Sequence, residues 1–263
     1  MKHAKDRVIA LDYFRGICIL LVVINHASFF SWPLTYVTGA SVLWSSAAEM
    51  FFLISGITLW IVRGKYIGTD FWSMARKMWR RAVTIYMVYL LAVVASLYMA
   101  LMLIGHGMAS HMPGALPAAS GGKLLADILS FRYTIGWANF FMYYAVFMIF
   151  APFAMRLLKS RLWFLVPAAS LALYAANAYG KLPPSPYLSF AVWQVYFVLG
   201  LTVGRWRPRI LGFFFGLKQG LAKKAALSVA AAAGLALAFS YFLSHPASRV
   251  MYHLARHGLL PAA

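Results

Sequence analysis

The chain has 263 residues, 63% of them hydrophobic and 11% charged, with a formal net charge of +19 and a mean hydropathy of +0.75. These values lie far from those of soluble globular proteins and indicate a polytopic membrane protein. Nucleic acid is not the expected partner, because Lys and Arg form short clusters between apolar spans, where lipid headgroups and topology account for them.

The basic start, MKHAKDRV, leads into residues 8–30, VIALDYFRGICILLVVINHASFF, an apolar run long enough to cross a bilayer. It is too long for a signal-peptide core and has no small-residue cleavage site, so it is expected to be a retained first span. Cys18, the single cysteine, excludes an intrachain disulfide and reads as a small core residue. The same run carries Asp12, Arg15, Asn25 and His26. Ionisable groups in hydrocarbon are costly and normally face protein, a wet cavity or each other. At the helical period, Arg15 and His26 fall within about 20° of each other and ~16.5 Å apart along the axis. The stripe 12, 15, 19, 22, 26 then forms one polar seam. The plainer alternative is a helix-end anchor pair with an interfacial histidine.

A loop over 31–41, with Pro33 and Gly39, precedes a second span at 42–62, which carries Glu49 followed by FFLISG. The basic stretch 63–81 holds Arg63, Lys65, Arg76, Lys77, Arg80 and Arg81, and separates it from a third span at 82–104. Residues 105–132 read as a loop with a short amphipathic helix at 123–131. Further spans are expected at 136–155, 162–179, 187–204 and 225–243, with basic residues at 156–161 and 205–224 between them. The expected fold is all-α: a polytopic transmembrane helical bundle of about seven spans, one domain over 1–263.

Lys and Arg of the N-terminus, 63–81, 156–161 and 205–224 outnumber those of the opposite loops and tail, which are Lys123, Arg132, Lys181, Arg249 and Arg256. That asymmetry places the N-terminus in the cytoplasm and His26 at the outer end of its span. The second span returns from outside, so Glu49 starts at a similar depth. A short loop makes the two spans neighbours and a His26–Glu49 contact the expectation.

A neutral imidazole can take a proton from a hydroxyl, and a nearby carboxylate can fix its tautomer and stabilise the imidazolium. Acyl transfer to an alcohol needs that arrangement. Arg76, Lys77, Arg80 and Arg81 could bind the phosphates of an activated donor, or serve topology and lipid contact alone. His106, His111, His245, His253 and His257 lack close metal-ligand spacing, so no metal is expected. Asn139 and Gln194 fall inside spans, where amides act as glue between helices. From another class, intramembrane His, Glu, Asp and Arg would also suit a proton-coupled transporter or membrane sensor. Acidic groups in only the first two spans weigh against a relay across the membrane.

LDYFRG and VVINH, with Arg15 and His26 separated by ten residues, resemble the Arg/Lys-x10-His motif of the acyltransferase-3 family of membrane O-acyltransferases. AAEMFFLISG, with Glu49, Ser55 and Gly56, is similar to that family's second-span signature. ARKMWRR and FAVWQVYFVLG resemble more specifically the branch that succinylates osmoregulated periplasmic glucans. The resemblance implies a multi-pass protein of the bacterial inner membrane that takes an acyl group from cytoplasmic acyl-CoA to an extracytoplasmic glycan hydroxyl. His26 would match the catalytic base. Beside it, Glu49 is expected as the orienting carboxylate or a substrate contact, and Arg15 with Asp12 as a buried pair bordering the donor path. The glucan branch tends to carry Asp where Asn25 and Ser46 stand, which leaves acetyl and succinyl both open. Family members usually have more spans, so the chain is expected to lack its last helices. Membrane lipids, the glycan and acyl-CoA are the partners implied.

Overall fold

A computed structural model describes residues 9–26, 47–106, 121–133, 138–178 and 188–216, with Leu221 and Ser228. The described residues contain no β-strand and form α1 (Ile9–His26), α2 (Ala47–Arg63), α3 (Phe71–Gly105), α4 (Gly121–Leu129), α5 (Asn139–Lys159), α6 (Leu165–Ala178) and α7 (Leu188–Gly216). Three segments among them are long and apolar enough to cross a membrane: Ala47–Ile67, Phe71–Gly105 and Asn139–Lys159. The expected span at 225–243 lies outside the described residues apart from Ser228.

Two expected boundaries move. The basic stretch 63–81 was expected to separate two spans, but a single 3-10 turn (Gly64–Ile67) suffices, and α3 begins at Phe71. Asp70 caps it, its carboxylate accepting from the Ser73 amide at 3.3 Å. No Gly or Pro interrupts the run before Gly105. Arg76, Lys77, Arg80 and Arg81 are therefore helical residues near the start of a 35-residue helix. Such a helix is ~52 Å long and outruns a hydrocarbon core of ~30 Å. Likewise α7 passes the expected stop at Gly204 and continues through Pro208 to Gly216. Gly204 is there for packing: a Cβ on it would lie 2.7 Å from the Trp60 Cβ.

By contact density the chain divides into two compact units, residues 52–205 and residues 9–51 with those from 206 onward. In the first, α3 and α5 pack along each other. Its centre is Phe52, fully buried, with Phe140, Phe147 and Trp193 rings at 5.0, 5.1 and 5.3 Å. Water does not drive helices together inside a bilayer, so close packing and internal hydrogen bonds must hold them. Gly56 and Gly200 supply the first: a Cβ on Gly56 would strike the Phe197 carbonyl oxygen, and one on Gly200 would strike that of Leu53. Backbone therefore meets backbone where α2 crosses α7. Gln194 supplies the second, donating to the Ser170 and Ala191 carbonyls at 2.8 and 3.0 Å while its own oxygen accepts from the Ser170 hydroxyl at 2.7 Å. The opposite side of α3, with Val83, Met87, Leu91, Val94 and Tyr98, is exposed and apolar, as a lipid-facing surface is.

Candidate functional site

The second unit contains α1 and the first turn of α2. As one unbroken helix, α1 keeps Arg15 and His26 eleven positions apart on a rigid element. Arg15 Nη1 lies 3.6 Å from Asp12 Oδ1, so the two pair across one turn. Their side chains are only 15% and 29% exposed. The guanidinium also sits 5.3 Å over the Phe51 ring. A planar, weakly hydrated cation suits an aromatic face, and the contact costs less desolvation than a compact ammonium would. That ring brings the start of α2 beside α1 at the level of Arg15, ~16.5 Å along the axis from His26. Sequence reasoning missed Phe51, although it stands two residues after Glu49 in the quoted signature.

The expected seam needs one correction. Cys18 is buried at 8% exposure, as a small core residue should be, whereas Ile19 is exposed at 44%. Burial on α1 therefore follows the flank of Arg15 and Cys18. A wheel drawn from the polar residues alone places the stripe's centre too far round, because the neighbour that covers it is not in the local sequence.

Glu49 is the third residue of α2, half-buried, at a helix start where unpaired N–H groups and the dipole favour a carboxylate. His26 is the last residue of α1. The expected His26–Glu49 contact lies outside the described residues. Asn139 is the first residue of α5 and opens the apolar segment Asn139–Lys159, at the edge of the expected span.

In the first unit, Arg76, Lys77, Arg80 and Arg81 are all exposed on α3. Other cations of that unit lie over rings: Arg156 over Phe71 at 4.8 Å, Arg205 over Trp163 at 5.5 Å and Lys65 over Tyr66 at 5.2 Å. Aromatic and basic residues together suit a membrane interface, and these contacts pair them. Ser55, in the same signature as Glu49, is 2% exposed, and its hydroxyl has no hydrogen-bond partner among the described residues. Outside the spans, burial raises the Tyr133 phenol above its usual pKa, which keeps it protonated. His106 is exposed after the end of α3; the other loop and tail histidines lie outside the described residues. Among the described residues no three His, Cys, Asp or Glu side chains come together as metal ligands.

Three apolar helices of spanning length, with no strand among the described residues, define a helical membrane protein. Within that class the chain belongs to the OpgC protein family, whose model matches residues 7–259, a family of osmoregulated periplasmic glucan acyltransferases. No curated protein and no solved structure matches the chain.

Proposed function

We propose that this chain is an O-acyltransferase of the acyltransferase-3 type, moving an acetyl or succinyl group from cytoplasmic acyl-CoA to a glucan hydroxyl on the outer side of the bacterial inner membrane. The observation that carries the reading is α1, on which Arg15 and His26 share one unbroken helix while Asp12 and Phe51 hold Arg15. Family membership supplies the acyl transfer and the glucan.

In this reading His26 takes the proton of the acceptor hydroxyl as its oxygen attacks the thioester carbonyl. The new C–O bond forms, the C–S bond breaks, and the proton passes to the departing CoA thiolate. Glu49 fixes the imidazole tautomer or contacts substrate. Arg15, with Asp12, borders the donor path. Arg76, Lys77, Arg80 and Arg81 offer donors to the phosphates of CoA, and their exposure on a helix longer than the hydrocarbon core supports that role. The positive-inside asymmetry supports a cytoplasmic N-terminus and this assignment of sides.

The test is transfer from radiolabelled acyl-CoA to glucan by purified full-length protein, measured beside CoA binding. His26→Ala should lower turnover by about a hundredfold or more while CoA binding survives. A folded His26→Ala protein that binds CoA and transfers at the wild-type rate would overturn the mechanism.

A further inference from the structure

Between α3 and α5, roofed by α4 and the turn after it, lies a cavity of about 480 Å³ lined by Trp79, Val83, Tyr86, Phe131, Val146 and Ile149 among others. Its size falls within the ~300–1,000 Å³ of small-molecule sites. Its lining carries no charged residue. Val83 and Ile149 are 60% and 45% exposed, so the cavity is a groove open on the apolar outer side of the two helices. A second, smaller cavity of about 210 Å³ shares Phe131 and Val146 with it and reaches Phe190.

Phe131 holds one end of the groove under strain. Its φ of 63° is in the left-handed region, which is unfavourable for a non-glycine residue. The ring is fixed against Tyr86 and Tyr89 at 5.5 and 5.4 Å. Both tyrosine hydroxyls donate to backbone carbonyls, Tyr86 to Leu129 and Tyr89 to Tyr133, each at 3.1 Å. The polar atoms there are spent on backbone, and the surface offered to the groove is hydrocarbon and ring.

At the other end the chemistry changes in steps. The Trp79 indole donates to the Ile149 carbonyl at 3.1 Å and tethers α3 to α5. Its ring lies 6.2 Å from Phe153, which lies 6.2 Å from Phe71, and Arg156 sits 4.8 Å over Phe71. Arg156 is exposed, seven residues beyond Ile149 and thus ~10.5 Å further along α5. The order along the axis is apolar groove, aromatic ring cluster, cation. An anionic lipid has the same order: acyl chain, interface, phosphate.

We propose that the α3–α5 groove is a site for an anionic phospholipid, with one acyl chain between Trp79 and Phe131 and the phosphate on Arg156. A soluble ligand would have to cross lipid to reach an opening on this apolar side, whereas a phospholipid is already there. Arginine, with its fork of donors, suits the phosphate. A zwitterionic headgroup gains less from the cation.

The experiment uses the full chain purified in a neutral detergent, titrated with phosphatidylglycerol or phosphatidylcholine, with bound lipid read by native mass spectrometry and stability by thermal unfolding. Phosphatidylglycerol should remain bound and raise the unfolding midpoint, and phosphatidylcholine should do so far less. Val83→Trp fills the groove, and Arg156→Gln removes the phosphate partner; each should weaken phosphatidylglycerol binding at least tenfold. If Val83→Trp does not fold, the surface change Arg156→Gln decides. Both folded variants should keep glucan transfer and CoA binding, so loss of this site is separable from failure of the proposed reaction. Equal retention of the two lipids, wild-type lipid binding by either folded variant, or displacement of the lipid by acyl-CoA would overturn the proposal.

Discussion

Gln194, in the unit of residues 52–205, and Arg15, in the unit of residues 9–51, are both polar side chains in apolar helices, and they are held differently. The Gln194 amide is satisfied by three short hydrogen bonds to α6 and its own helix. Thr58 and Thr202 likewise return their hydroxyls to carbonyls one turn back, at 2.8 and 2.9 Å. Arg15 instead is held through its charge, by an ion pair with Asp12 at 3.6 Å and the Phe51 ring at 5.3 Å. Gln194 joins two helices through neutral hydrogen bonds, whereas Arg15 is positioned on α1 by charge. A structural amide should therefore be measured in stability, and the α1 residues in activity as well.

The contrast can be tested hardest where the first unit has least room. Gly200→Val would push a side chain into the Leu53 carbonyl and within 3.1 Å of the Gly56 Cα, and only separation of α2 from α7 relieves that. The expected cost is about 3 kcal/mol or more, read as loss of monodisperse protein in detergent. A Gly200→Val protein with wild-type unfolding would show that the backbones are not in contact.

Next in size is the ion pair. Asp12→Asn and Arg15→Gln should each destabilise more than the double change does, which falls short of the sum of the two by a coupling of about 0.5–3 kcal/mol. Unfolding of the two single variants and the double variant measures it. Additivity would mean that the 3.6 Å approach contributes nothing to holding Arg15.

Gln194→Leu should cost about 1 kcal/mol, the usual scale for a hydrogen bond between membrane helices, because the Ser170 hydroxyl loses its acceptor. Transfer per folded molecule should be unchanged. If turnover falls while stability holds, Gln194 belongs with the chemistry and the division between the units fails.

Ser55→Ala should have the smallest effect, within about 0.5 kcal/mol and of either sign, since the hydroxyl has no partner among the described residues to lose. The same variant sharpens the contrast if stability is unchanged but transfer falls. Ser55 would then be a substrate contact within the buried core of the first unit.

Much of this was open to reading from the chain itself. The all-helical class, the ionised pair on the first helix, the short helix near residue 123 and the role of Gln194 as glue follow from hydropathy, the 3.6-residue period and the cost of an unpaired amide in hydrocarbon. These are local rules, satisfied within a turn or two of the residue concerned. The resemblance carried by ARKMWRR and FAVWQVYFVLG and the match over 7–259 agree on the glucan branch.

What only the tertiary structure decided concerns residues whose meaning depends on a distant neighbour. Gly204 looks like a helix stop until Trp60 is placed against it. Charges at 76–81 look like a loop until Asp70 caps a helix that carries them. Phe51 as the ring beneath Arg15, the rotation of burial towards Cys18, and a groove whose rim comes from α3, α4 and α5 are set by pairings between segments far apart in sequence. Hydropathy and periodicity report how apolar a face is, and they carry no information about which other face will cover it.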